Sequence, residues 1–352
     1  MESIPLPIEE PASQEKDRVA AAGKLHNAYM MFLDQFGNVI VGLNKPIEQI
    51  FITLICGGHA ILEGVPGLAK TRMISTLAEM TELSFRRIQF TPDLMPGDIT
   101  GSDVLEEDST TGKRSFRFIE GPLFGNVILA DEINRTPPKT QSALLEAMEE
   151  RQLTSGGNTY KLPDPFLVLA TQNPIEQEGT YPMPEAQLDR FMMKVILDYP
   201  DMEEELEVMR RTTTAYHYQP ESLLGANMIR EARKLVRDVV VAWPIYEFTA
   251  RLVRATRPGS PEAAPAAEEM LSWGAGPRAS INLLLASKAR ALLKGRHHVA
   301  TEDVLEMARP VLRHRISRNF QAEAHGHSPD DILLRIFDDV QVVHGSPGGA
   351  AS

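Results

Sequence analysis

The chain carries one cysteine, Cys56, in 352 residues. No disulfide can close within it, which fits a reducing compartment such as the cytoplasm. Cys56 falls on the apolar side of a helical pattern, where a lone thiol serves as a small packing residue. Long apolar runs are missing too. None approaches the roughly 18 residues that a membrane-spanning helix needs, so no membrane insertion is expected. The first residues are rich in Glu and Pro, without a basic patch ahead of an apolar one, and do not read as a secretory signal. Positive charge is in deficit: 36 Lys and Arg against 48 Asp and Glu leave a formal net charge of −12. That balance argues against a broad contact with nucleic-acid phosphates, and no nucleic-acid partner is expected. The one dense basic run, Arg309, Arg313, His314, Arg315 and Arg318, reads as a solvated or subunit-facing side of a helix. His297 with His298, and His325 with His327, lack the cysteines or paired carboxylates that would complete a metal set. The sequence has no internal repeat of the length that builds solenoids.

The chemistry that is present begins after an apolar strand pattern at residues 59–62. Gly64, Gly67, Lys70 and Thr71 stand at the spacing of a phosphate-binding loop, and a helical pattern runs from Lys70 to about Met80. Glycines let such a loop curl so that successive N–H groups face inward and cradle anionic oxygens. The helix start adds unpaired N–H groups and partial positive charge. Lys70 would reach the β- and γ-phosphates, and the Thr71 hydroxyl would ligate Mg²⁺. Ala69 stands where glycine is usual, and its methyl argues against a strongly left-handed backbone there.

Farther along, the apolar strand at residues 126–130 ends in Asp131 and Glu132. In open α/β sheets ligands bind at the C-terminal ends of the strands. Asp131 would hold Mg²⁺, and Glu132 would orient and deprotonate an attacking water. Another apolar strand, residues 166–170, ends near Asn173. That amide is suited to position the water or the γ-phosphate, or else simply forms a turn before proline.

Around these motifs the pattern is orderly. Residues 1–22 read as a flexible arm, 22–34 as a short helix and 36–42 as an apolar turn. A helix from Pro46 ends at Gly57 and Gly58. Hairpins are expected at 101–119 and 152–162. Beyond Pro200 the pattern is helical, with segments at 202–212, 228–240, 245–256 and 280–294. One more helix, capped by Thr301, runs to Arg309, and the last covers 330–343 before a Gly/Ser/Ala tail.

Several segments together resemble the MoxR family of AAA+ ATPases. They are Glu63 to Thr71, including Ala69; Ala130 to Gln141; Ala170 to Pro174; Pro184 to Phe191; and Gly274 to Ala279. Gly276 stands where the family commonly has serine, and Leu43, after Val41 and Gly42, where it has glutamine. The resemblance implies an α/β fold: an AAA+ P-loop NTPase core, residues 23–200, with a five-stranded parallel sheet between helices and two inserted hairpins. A small all-α lid, 201–343, follows, with a disordered tail at 344–352. ATP and Mg²⁺ are the implied cofactors. Gly64, Val65, Pro66, Gly67, Leu68, Ala69, Lys70, Thr71, Arg72, Val41 and Gly42 would bind the nucleotide, and Thr71 and Asp131 the metal. Glu132, Asn173, Arg190 and Arg278 would be catalytic. Arg190 would act as an arginine finger on a neighbouring subunit, and Arg278 would reach the γ-phosphate from the lid. The implied working state is a hexameric ring that remodels or matures protein complexes, cofactor insertion among the forms this takes, with a von Willebrand factor A-domain partner. The alternatives are the ATPase subunit of a metal chelatase and a nucleic-acid-dependent motor.

Overall fold

The structure, a computed structural model, describes residues 12–107, 114–173, 179–215 and 218–345. It opens with α1 (Ala12–Val39). Leu25, Tyr29, Phe32 and Phe36 recur at helical spacing and are all buried, so the helix continues through Gly37 instead of turning at Phe36. The expected arm and turn are corrected accordingly. Residues 12–22 are already helical, the turn starts only at Ile40, and residues 1–11 lie outside the described residues. Next, α2 (Asn44–Cys56) buries Ile47, Ile50, Phe51 and Leu54 and ends at Gly57.

The α/β part then alternates. In chain order it comprises β1 (Ala60–Glu63), α3 (Lys70–Met80), β2 (Phe85–Gln89) and α4 (Pro96–Thr100). β3 (Gly101–Glu107) and β4 (Arg114–Glu120) pair antiparallel as the first expected hairpin, its turn lying outside the described residues. β5 (Val127–Asp131), a 3-10 turn at Ile133–Arg135 and α5 (Pro138–Glu150) follow. The second hairpin is β6 (Gln152–Ser155) with β7 (Asn158–Lys161). β8 (Leu167–Gln172), α6 (Glu185–Leu188) and β9 (Met193–Ile196) complete this part.

Five of these strands form one parallel sheet in the order β2-β5-β8-β1-β9. Such strands are covered on both faces and need continuous apolar runs; Val127, Ile128, Leu129 and Ala130 are fully buried. Because the strands are parallel, Glu63, Gln89, Asp131 and Gln172 all lie at one edge, as last residues of their strands.

The rest is mainly helical: α7 (Met202–Thr213), α8 (Ala226–Asp238), α9 (Trp243–Arg254), α10 (Pro265–Met270), α11 (Pro277–Leu293), α12 (Thr301–Leu312), α13 (Phe320–Ala324) and α14 (Pro329–Gly345). This lid is not purely helical, as β10 (Leu271–Trp273) pairs antiparallel with β11 (Ser317–Arg318). Thr301 is not the cap of α12. Ala300 occupies that position, and its N–H donates to Asp303 Oδ2 at 2.9 Å. The buried Asp303 carboxylate is held in turn by Arg290 at 2.6 Å and Arg296 at 2.5 Å. One apolar cluster runs from α1 and α2 across one face of the sheet into α8, α9, α11, α12 and α14. A second fills the other face beneath α5 and includes Ile99, Leu153 and Phe166. Among the described residues no helix is long and apolar enough to cross a membrane.

His59, just before β1, ties the sheet to its second face. Its Nδ1 accepts the Val168 N–H at 2.9 Å, so Nε2 carries the proton and donates to the Met148 carbonyl at 3.2 Å. Burial, with the nearby Arg151 charge, pushes its pKa down to about 3. His314 is likewise held well below its usual range by burial and by Arg315. Unfolded, both would titrate at about 6.5. Below that pH the unfolded chain takes up protons that the folded chain refuses. The stability these groups contribute is therefore complete above about pH 6.5 and declines as pH falls, by about 1.4 kcal/mol per unit for each histidine. The urea midpoint should drop steadily from pH 6.5 to 5, and less steeply in His59→Gln. A midpoint that stays level across that window contradicts this account.

Candidate active site

β1 feeds the loop at residues 64–69, and α3 begins at Lys70. Two glycines make the loop possible. A Cβ on Gly64 would stand 2.7 Å from the Leu197 carbonyl oxygen, so the loop could not lie against the exit of β9. Gly67 has a φ of +90°, a region that glycine enters without steric cost. Ala69 departs from expectation. Its φ of 51° and ψ of 25° are left-handed, despite a cost of about 1–2 kcal/mol for a residue with a Cβ. The helix start imposes it: the Ala69 carbonyl accepts the Met73 N–H at 2.8 Å and so closes the first turn of α3. The Lys70 ammonium donates to the Gly64 carbonyl. Burial lowers its pKa, against the pull of Asp131, Glu132 and Glu63.

The two carboxylates are held from neighbouring strands. Thr171, on β8, accepts the Glu132 N–H at 2.8 Å and donates its hydroxyl to Asp131 Oδ1 at 2.6 Å. On β2, Arg87 donates to Asp131 Oδ2 at 2.6 Å, and Gln89 donates to Glu132 Oε2 at 2.8 Å. Arg135 also meets Glu132 Oε2, at 3.0 Å. Glu132 itself has a φ of 57°, a left-handed conformation that turns the chain at the strand end. Asn173 comes directly after Gln172, the last residue of β8, at the same edge of the sheet.

Beside this edge lies a cavity of about 1000 Å³. Gly67, Leu68, Ala69, Arg72, Val41 and Gly42 of the expected set line it. Tyr199, Glu204 and Val208 line it too, and so do the lid residues Arg309, Arg313 and Asp330. Its size suits a nucleotide. The Thr71 hydroxyl and the Asp131 carboxylate would together supply oxygen donors of the kind a hard cation such as Mg²⁺ takes. Arg87, whose side chain is 48% exposed, can swing off the carboxylate to admit it.

Arg190 and Arg278 are elsewhere. Arg190 precedes β9, at the edge of the sheet opposite to Lys70 and Glu132. Arg278 does not approach the loop at Gly64–Thr71. It donates to Glu149 Oε1 at 2.8 Å and lies 3.8 Å from Asp189, while Arg190 meets Glu149 Oε2 at 3.1 Å. The expectation has Arg278 reach a phosphate on its own chain; here its guanidinium instead pairs with Glu149. The basic run is corrected as well, since His314 and Arg315 are buried and the Arg313 side chain is only 9% exposed. Sequence reasoning gives no role to Thr171, Arg87 or Gln89. Arg309 and Arg313 carry a signal only as part of that run.

A loop from strand to helix at the head of a parallel sheet, paired carboxylates one strand beyond its neighbour, and a helical lid beside the cavity define a P-loop ATPase of the AAA class. The model of the ATPase family associated with various cellular activities (AAA) matches residues 59–193, and that of the AAA lid domain residues 263–336. The chain is 40% identical over 302 residues to the chaperone MoxR1 of Mycobacterium tuberculosis, covering 86% of this chain and 79% of that one. It is 28% identical to the protein MoxR of Paracoccus denitrificans, over 79% of this chain and 85% of that one. A crystal structure of a candidate ATPase from Cytophaga hutchinsonii superposes with a TM-score of 0.83 at 44% identity, covering 93% of this chain and 97% of that one. The chain belongs to the MoxR family of AAA+ ATPases.

In the expected roles Lys70 would meet charge already present on a bound nucleotide, whereas Glu132 would matter only when water attacks. Lys70→Ala is therefore expected to abolish binding of a fluorescent ATP analogue. Glu132→Gln should bind it as wild type does and lose turnover by about 10²-fold or more. Weak binding by Glu132→Gln, or wild-type turnover, would show the roles to be misassigned.

Proposed function

We propose that this protein works as a ring of identical subunits, a hexamer, that cleaves ATP between neighbours and uses the energy to remodel or mature other protein complexes. One observation carries the reading: Arg190 and Arg278 share Glu149 at the sheet edge away from Lys70 and Glu132. The four residues of β9 paired with β1 separate the two edges by about 13 Å, more than an arginine side chain spans. Neither guanidinium would serve the phosphates of its own chain. Both would instead meet ATP held by the next subunit and stabilise the charge that develops on its γ-phosphoryl group. Such a finger is worth about 10³–10⁵ in rate.

Within each subunit the division of labour follows from position. Lys70 and the N–H groups at the start of α3 hold the phosphates. Thr71 and Asp131 would hold Mg²⁺, which neutralises charge on the β- and γ-oxygens. Glu132 orients a water and takes its proton as the water oxygen bonds to the γ-phosphorus. The bond to the bridging oxygen breaks, and ADP and phosphate leave. Asn173, beside Glu132 at the strand ends, helps to place that water. The chaperone reading draws on the name of the mycobacterial relative. The net charge of −12 favours a protein client over a nucleic acid. A von Willebrand factor A-domain protein as partner, cofactor insertion as one form of the maturation and a cytoplasmic setting complete the proposal.

Mixing separates a composite site from one contained in a single chain. Arg190→Ala and Lys70→Ala should each be nearly inactive. When co-assembled they should regain part of the turnover, because some interfaces pair an intact loop with an intact finger. Full activity of Arg190→Ala alone, or no recovery in mixtures shown to co-assemble, would rule the composite site out.

A further inference from the structure

The end of α12 touches both halves of the site just described. The Arg315 side chain is 1% exposed, and almost every donor it has is used. Nε donates to Asp189 Oδ1 at 2.8 Å. Nη2 donates to the carbonyls of Asp189 at 3.1 Å and Phe191 at 2.6 Å, and Nη1 to those of Met192 at 3.1 Å and Val311. His314 adds a contact from Nε2 to the Phe191 carbonyl at 3.0 Å. The segment gripped in this way, residues 189–192, is the one that carries Arg190. A planar guanidinium fixes several carbonyls at once in a way that an ammonium cannot.

Two residues earlier the chain faces the other way. Arg313 lines the large cavity, donating to Asp330 Oδ2 at 2.8 Å and to the Lys194 carbonyl at 3.3 Å. Its Nε and the Oδ1 of Asp330 are buried, yet neither has a hydrogen-bond partner in the protein. Buried polar atoms normally find partners, so a donor and an acceptor are left unsatisfied just behind the cavity that Arg313 and Asp330 line.

We propose that Arg313, His314 and Arg315 form a relay: Arg313 contacts the nucleotide of its own subunit, and Arg315 positions the Arg190 that the same subunit offers to its neighbour. This rests on the reading of Arg190 as a finger acting between chains. Arg315 touches no nucleotide and is a positioning residue. A small displacement of α12 at the cavity would shift the backbone that bears Arg190, so occupancy of one site would set the geometry of the next.

The two residues should then fall into opposite complementation groups. Arg315→Gln should bind an ATP analogue with wild-type Kd and lose saturated turnover by about 10²-fold, as expected of a misplaced group. It should recover when co-assembled with Lys70→Ala and not with Arg190→Ala. Arg313→Gln should raise the Kd about tenfold, the loss of roughly one charge-assisted hydrogen bond. It should recover with Arg190→Ala and not with Lys70→Ala. If Arg315→Gln does not fold, Asp189→Asn removes the same ion pair from the core side and must follow the Arg315 pattern. The relay is overturned if both variants fall into one group, if Arg315→Gln turns over normally or if Arg313→Gln keeps wild-type affinity. The control mixture of Arg190→Ala with Lys70→Ala tests the finger itself. If it recovers while the Arg315 mixture does not, the relay alone is wrong.

Discussion

The parallel pairing of β1 with both β8 and β9 is the constraint on which the rest depends. It puts the phosphate loop on an interior strand, with the Thr171 strand on one side and the strand that follows Arg190 on the other. A parallel sheet has a head and a tail, and each connection must cross from one to the other. Groups that follow strands therefore gather at the head, and groups that precede them gather at the tail. Asp131, Glu132 and Asn173 fall in the first set and Arg190 in the second. The separation of Arg190 from the carboxylates is thus a property of the topology, not of any local loop.

At the head, three side chains give the site its internal order before any ligand is considered. Thr171 is both acceptor and donor, bridging the Glu132 amide to the Asp131 carboxylate. Arg87 and Gln89 reach over from β2 to the same two acids. Each carboxylate thus has a defined orientation. The left-handed backbone at Glu132 is tolerable because its amide is already engaged.

Much of this was legible in the sequence, and the parts that were not share a cause. β1, β5 and β8 were readable because buried parallel strands show continuous apolar runs ending in chemically distinctive residues. The hairpins were readable from their turn residues and flanking β-branched and aromatic residues. By contrast, Phe36 and Gly37 look like a turn in isolation, and only the burial of Phe32 and Phe36 on one face shows the helix continuing. Steric preference misleads at Ala69 because it describes an average alanine, whereas the first turn of α3 dictates this one. Charge periodicity misleads at Arg315 because it assumes that guanidinium groups seek water. Here the carbonyls of a distant segment satisfy it, and nothing in a one-dimensional pattern reports which carbonyls those are. Arg87 and Gln89 sit on an edge strand with little apolar signal, so their role emerged only from register.

The apolar cluster that runs from α1 and α2 over one sheet face into the C-terminal helices has a consequence for how this chain could have evolved. Ile50, Leu54 and Phe32 share a single interior with Leu283, Leu292 and Val311, so neither half closes its own surface. The C-terminal part is not a cassette that recombination could exchange or truncation could remove without leaving hydrocarbon bare on the remainder. Changes on the two sides of that boundary must accumulate in step. Divergence among such chains should therefore concentrate on the opposite face of the sheet, where the two hairpins project and Phe116 is 75% exposed.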